Sequence, residues 1–237
     1  MWKQMEKTDL KGTSQRLSSR VACIDAAIGG GLEPSVISEI FGEGGAGKTN
    51  LALIFSLSAI ADGKSVFYID AEGLSVDRLR QVYRGGQDGL ESFIIYRVSS
   101  LDDQETAIQK VYKMLEKSKS PGLVVVDSFT QYVRLEAFQD FQERSAAIQR
   151  QLSLLNGIAM RFKIPVLITN QIYQDPDTGS LNPYGGFVID HMMKAIFRLE
   201  KIGNSIRVIS IAKHRSLPEQ STARFKITDY GISCEVD

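Results

Sequence analysis

Hydrophobic and polar positions alternate along this chain in blocks that switch between two periods. Residues 36–41 are rich in β-branched and aromatic side chains and run into a glycine-rich turn, the pattern of a buried strand. A helical block follows at 48–62 and stops near Gly63. The same strand-then-helix unit recurs at 65–70 and 76–83, and again at 93–98 and 102–117. In the last of these helices Ala107, Ile108, Val111, Met114 and Leu115 make one apolar face. After Pro121-Gly122 a fully apolar strand at 123–127 ends in Asp127, a long helix covers 144–162, and another buried strand covers 165–170.

Alternating units of this length predict an α/β fold with a mostly parallel central sheet and helices on both faces. Beyond residue 190 the texture changes. Strand-like runs at 194–202 and 205–213 flank Gly203-Asn204, and runs at 223–228 and 232–236 flank Asp229-Tyr230-Gly231. Both are hairpin signals, so antiparallel strands are expected at the C-terminal end, on an edge of the same sheet. Residues 1–20 are mostly polar or charged and are expected to form a flexible lead-in to a single domain at 21–237.

With 237 residues, 43% hydrophobic and 24% charged, the chain can bury one substantial core. The longest apolar run, 51–61, carries two serines and falls short of the ~20 residues that span a bilayer. No membrane partner is therefore expected. Two cysteines, Cys23 and Cys234, fit no metal spacing and suit a reduced, intracellular compartment; they receive no role. Basic and acidic residues balance at 28 each, so any nucleic-acid contact must come from a local patch rather than net charge.

The chemistry is concentrated at Gly42, Glu43, Gly44, Gly45, Ala46, Gly47, Lys48 and Thr49, with Asn50 adjoining. This is G-x-x-x-x-G-K-[ST] between a predicted strand and a predicted helix, the context the motif's mechanism requires. Glycines let backbone N–H groups turn onto phosphates, the helix adds its positive end, Lys48 reaches the β/γ-phosphates, and Thr49 offers a hydroxyl to Mg²⁺. ATP with Mg²⁺ is the expected ligand. Asp127, at the end of an apolar strand, is the acid expected to hold Mg²⁺ through water. Glu72 and Asp70 compete on spacing for the water-activating role, both lying where parallel strands end together. Gln171, at the end of a third strand, is placed to sense the γ-phosphate.

These segments resemble RecA-like recombinase ATPases, in particular the archaeal and eukaryotic branch and its archaeal paralogues. The likeness runs from about Leu17 to the C-terminus. It is carried by Ile28-Gly29-Gly30-Gly31-Leu32-Glu33, the phosphate loop, Tyr68-Ile69-Asp70-Ala71-Glu72-Gly73, Val125-Val126-Asp127-Ser128, Ile168-Thr169-Asn170-Gln171, Pro183-Tyr184-Gly185-Gly186 and Lys213-His214-Arg215-Ser216-Leu217-Pro218-Glu219. The resemblance implies a RecA-like P-loop core in which Glu72 is the catalytic glutamate and Gln171 the γ-phosphate sensor. It implies binding of DNA, single-stranded above all, by loops after the Asp127 and Gln171 strands.

The first loop, about 129–144, offers Arg134 and Arg144 with Tyr132 and Phe138 as stacking groups. The second, 173–188, offers Gly185 and Gly186 but has no lysine or arginine, and it carries Asp175 and Asp177. Lys213, His214 and Arg215 could contact DNA or a neighbouring subunit's ATP. Only about 20 residues precede the core and no F-x-x-A hook is evident, so the resemblance implies an accessory or regulator in homologous recombination and DNA repair. Such a protein would have weak ATPase activity, recombination or other repair proteins as partners, a homodimer as one possible assembly with a long filament doubtful, and a cytoplasmic, nucleoid-associated location. The alternative is a KaiC-like ATPase acting on protein partners without DNA, which the neutral charge and acidic second loop favour.

Overall fold

The computed structural model describes residues 15–85, 87–174, 181–203, 205–219 and 221–235. A short helix α1 (Ala22–Ala27) precedes β1 (Ile37–Gly42) and α2 (Lys48–Ala61). Then come β2 (Ser65–Asp70), α3 (Val76–Val82), β3 (Phe93–Arg97), α4 (Leu101–Leu115) and β4 (Pro121–Asp127). After α5 (Gln131–Leu135), α6 (Phe141–Phe162), β5 (Val166–Gln174), β6 (Leu181–Pro183) and α7 (Gly186–Met192), the chain ends in β7 (Ala195–Ile202), β8 (Ile206–His214), β9 (Thr222–Thr228) and β10 (Gly231–Cys234).

The strands form one sheet in the order β10-β9-β8-β7-β1-β5-β4-β2-β3, with β6 paired only to the far end of β5. Strands β7, β1, β5, β4, β2 and β3 are mutually parallel, and β8, β9 and β10 extend the β7 edge antiparallel. This is the expected architecture. Its two cores follow from the strand period of two. In β4, Leu123 and Val125 face α2, while Val124 and Val126 face α4 and α6; in β2, Val66 and Tyr68 oppose Phe67 and Ile69. Fully apolar strands are what a sheet covered on both sides demands.

Several expectations are corrected. Residues 16–19 are not a free lead-in: Leu17 is buried and exchanges backbone hydrogen bonds with Leu32 at 2.8 and 2.9 Å, and Asp25 accepts from the Ser19 N–H and hydroxyl at 2.7 Å each. The long helix starts at Phe141 rather than 144, because Asp140 caps it by accepting from the Glu143 N–H at 2.8 Å. The two expected loops carry helices of their own, α5 and α7. Cys23 and Cys234, which the sequence left without a role, form a disulfide with Cα atoms 5.8 Å apart, joining α1 to β10 across a sequence separation of 211. Among the described residues no helix is long and apolar enough to cross a membrane.

Candidate nucleotide site and flanking loops

Strand β1 delivers the chain to the phosphate loop in the middle of the sheet, and the loop is pressed against the parallel neighbour β7 and against β9 of the antiparallel extension. A Cβ at Gly42 would lie 2.2 Å from the Leu199 carbonyl oxygen, and one at Gly47 would lie 2.5 Å from Ile227. Gly47 also has φ of +107°, which disfavours any side chain. The loop is closed internally by Lys48, whose buried ammonium donates to the carbonyls of Gly42 at 2.9 Å and Glu43 at 3.0 Å. Burial pulls the Lys48 pKa below its ordinary value, while Glu72, Asp127 and Glu43 oppose that shift.

Asp127 stands at the end of β4, almost fully buried. Its oxygens accept hydrogen bonds from the Tyr68 hydroxyl at 2.5 Å and from the Thr169 hydroxyl, and Thr49 also bonds to it. Burial raises its pKa and these three donors work in the opposite direction. Burial likewise pushes the Tyr68 hydroxyl well above its ordinary value, helped by Asp127. Tyr68 was read from the sequence only as part of a motif; the signal for its role was an aromatic two residues before an acid on a strand facing the loop helix.

The two acids that competed on spacing are separated in space. Asp70 accepts from the Gly73 and Leu74 N–H groups at 2.8 Å each and faces Arg97 at 3.6 Å, so it caps a turn. Glu72 is exposed and its Oε1 accepts from Gln171 Nε2 at 2.5 Å. The Gln171 oxygen in turn accepts from Arg134. Glu72, Gln171 and Arg134 are therefore linked in series from the phosphate side of the sheet to the first loop.

That loop is organised around Tyr184 of the second. Arg134 and Arg144 lie over the Tyr184 ring, 5.6 and 5.1 Å from its centroid, and Tyr173 meets it edge-on at 5.9 Å. The stacking groups expected there are displaced: Tyr132 turns inward to donate to the Val98 carbonyl at 2.7 Å, and Phe138 packs against the core. The exposed aromatics are instead Tyr173, Phe141 and Phe187, the last 77% exposed and stacked on His191. Gly185, in the left-handed region, leads into α7, which Gly186 opens. Asp175 and Asp177 lie outside the described residues.

Lys213, His214 and Arg215 diverge. Lys213 donates to the Asp190 carbonyl and lies 3.4 Å from its carboxylate. Arg215 pairs with Glu33, its Nε donating at 3.1 Å. His214 lies 3.5 Å from Arg16, and burial with that charge lowers its pKa. Burial pushes the Glu33 pKa upward, but the Arg215 hydrogen bond and charge, with Arg16, hold it below the usual range.

Arg78 was missed altogether. Its guanidinium donates to Asn50 at 2.9 Å and to the carbonyls of Thr228 at 2.8 Å and Asp229 at 3.3 Å, bolting the phosphate-loop helix to the β9–β10 turn.

A phosphate loop on the central strand, an acid on the strand beyond its neighbour and a polar strand end between them define the chemistry of the site. The Rad51 family model matches residues 14–235. The chain belongs to the Rad51 family. The family member described here is 51% identical to the DNA repair and recombination protein RadB of Thermoplasma acidophilum over 98% of this chain and 100% of that protein. It is 37% identical to the protein of that name from Methanococcoides burtonii, over 94% and 100% of the two chains. A crystal structure of the RadB recombinase superposes with a TM-score of 0.78 at 31% identity, covering 93% of this chain and 100% of that one.

Proposed function

We propose that this Rad51-family chain is an ATP-binding, weakly hydrolysing P-loop ATPase that binds DNA and acts as an accessory or regulator in homologous recombination and repair. The series Glu72–Gln171–Arg134 carries the reading. It joins an acid on the phosphate side to a loop arginine through the amide of Gln171, the last β5 residue in register with β1, so a change at the phosphates has a physical route to a cationic, aromatic surface. Arg134, Arg144, Tyr184 and Tyr173 are the groups suited to a single strand, through charge and stacking.

In this mechanism the triphosphate enters the loop of N–H groups, and Lys48 turns from the Gly42 and Glu43 carbonyls to the β/γ-oxygens. Thr49 and, through water, Asp127 are the residues that would hold Mg²⁺; the buried, desolvated Asp127 carboxyl, ringed by hydroxyl donors, fits a divalent cation. The metal supplies charge neutralisation on the phosphates. Glu72 orients a water and takes its proton as the water oxygen bonds to the γ-phosphorus and the bond to the β–γ bridging oxygen breaks, leaving ADP and phosphate. Glu72 is engaged by Gln171 here, which supports slow turnover until Gln171 moves.

The relatives' names support the recombination setting, and an intracellular location with recombination proteins as partners follows from it. The internal pairing of Lys213 and Arg215 favours a second reading, action on protein partners without DNA. Oligonucleotide anisotropy at several salt concentrations, with and without Mg-ATP, in the wild type and Lys48→Ala separates the two. A salt slope plus a nucleotide response lost in the variant supports the DNA reading; no binding at low salt removes it.

A further inference from the structure

Asn170, beside the sensor Gln171, is fully buried and uses every polar atom of its carboxamide. One N–H donates to Glu39 Oε1 of β1 at 2.7 Å, and the other donates to the Tyr184 carbonyl at 2.7 Å. Its oxygen accepts from the Thr130 hydroxyl, at the start of the first loop, at 2.6 Å. A carbonyl can only accept, so the amide nitrogen must face Tyr184 and Glu39. The Tyr184 N–H donates to the Gln171 carbonyl at 2.9 Å. Both backbone polar groups of Tyr184 are thus held by residues 170 and 171, while the two first-loop arginines lie over its ring.

Glu39 is only 1% exposed, at the edge of a cavity of about 210 Å³ between β1, β8 and α7. The charged groups facing it are Asp190 of α7 and Lys213 of β8; Phe41, Ile189, Ile196 and Ala212 supply apolar wall, and Asn170 of β5 is its hydrogen-bond donor.

We propose that Asn170 is the positioning residue through which the phosphate site acts on the second loop, and that the buried carboxyl of Glu39 sets how firmly Asn170 holds. A displacement of Gln171 toward a γ-phosphate pulls the carbonyl from which Tyr184 hangs. Asn170 keeps the second tether taut, so the pull moves Tyr184 and its stacked arginines together. With Asn170 removed, Tyr184 keeps one tether and can rotate about it. Charge on the Glu39 carboxylate strengthens the Asn170 bond relative to the neutral acid. Burial, with Asp190, raises Glu39 to about 7, against the Asn170 bond and Lys213, so both forms are populated near neutrality.

This inference rests on the ATP-binding reading, and hydrogen exchange on the full chain distinguishes the two. A non-hydrolysable ATP analogue with Mg²⁺ is expected to protect the phosphate-loop amides and to change exchange at Tyr184 several-fold in the wild type. In Asn170→Ala the loop protection stays and the Tyr184 response disappears. A wild-type Tyr184 response in Asn170→Ala overturns the proposal; missing loop protection in the wild type overturns ATP binding instead. A second arm needs neither nucleotide nor Asn170→Ala to fold. Tyr184 exchange, corrected for intrinsic rate, should change several-fold from about pH 6 to about pH 8 in the wild type and stay flat in Glu39→Gln. A flat wild-type profile, or the wild-type profile in Glu39→Gln, refutes the Glu39 anchor.

Discussion

Reduction of the Cys23–Cys234 bond is the perturbation whose size the structure states most directly. The bond closes a ring spanning a sequence separation of 211, nearly the whole chain, with Cα atoms 5.8 Å apart. Closing a loop of that length removes about 5 kcal/mol of unfolded-state entropy at 25 °C on the chain-entropy model, near the upper end of what a disulfide contributes. For a domain of this size that corresponds to a fall in melting temperature of about 10 °C or more. The effect should also be local, because β10 follows the turn whose Thr228 and Asp229 carbonyls hold Arg78 against Asn50. Circular-dichroism melts with and without dithiothreitol measure the first effect. Cys234→Ser should melt like the reduced wild type and ignore the reductant. Coincident melts in the two conditions, with both thiols titrating as free in the native protein, would refute the reasoning.

Other substitutions probe single links. Glu39, raised from 4.5 to about 7 in the fold, contributes stability that is fully present below about 4.5 and is lost as pH rises through about 7. About 3 kcal/mol is at stake, so urea unfolding should show Glu39→Gln losing this part of the pH dependence. Tyr68→Phe leaves Asp127 Oδ2 without its buried donor and should cost about 1–3 kcal/mol in urea unfolding while weakening Mg-ATP binding. Glu72→Gln should keep ATP binding and lower turnover by roughly 10²–10⁴-fold in a phosphate-release assay; an unchanged rate removes Glu72 as the base. Arg134→Ala should weaken oligonucleotide binding and reduce the salt slope by about 1; an unaltered slope places the phosphate contacts elsewhere.

The parallel core was legible because its strands are apolar on both faces and separated by helical spacing. The phosphate loop was legible because its geometry demands particular residue types at adjacent positions. Helices α5 and α7 were not, since five and seven residues cannot nucleate helix alone and depend on contacts such as those of Tyr132 and Ile189 with the core. No local signal pairs Cys23 with Cys234. The dispersal of Lys213, His214 and Arg215 was partly legible: neighbours on a strand point to opposite faces, which sets His214 against Lys213, and Arg215 lies one residue past the end of β8. The roles of Asn170 and Glu39 were hidden for a different reason. Their partners come from four separate segments, and only the sheet register, which sets Phe41 beside Asn170 and Glu39 beside Ile168, brings them together.

Within the phosphate loop Lys48 rests on two carbonyls of its own backbone. On the proposed ATP-binding reading, phosphate capture exchanges one set of acceptors on Lys48 for another. Such a site should fill in a single kinetic phase whose rate rises linearly with nucleotide concentration. The slower phase belongs to whatever has to rearrange afterwards: the release of Gln171 from Glu72 and Arg134. On that reading filling and signalling are separate events in time, and a nucleotide would be held before the loops respond.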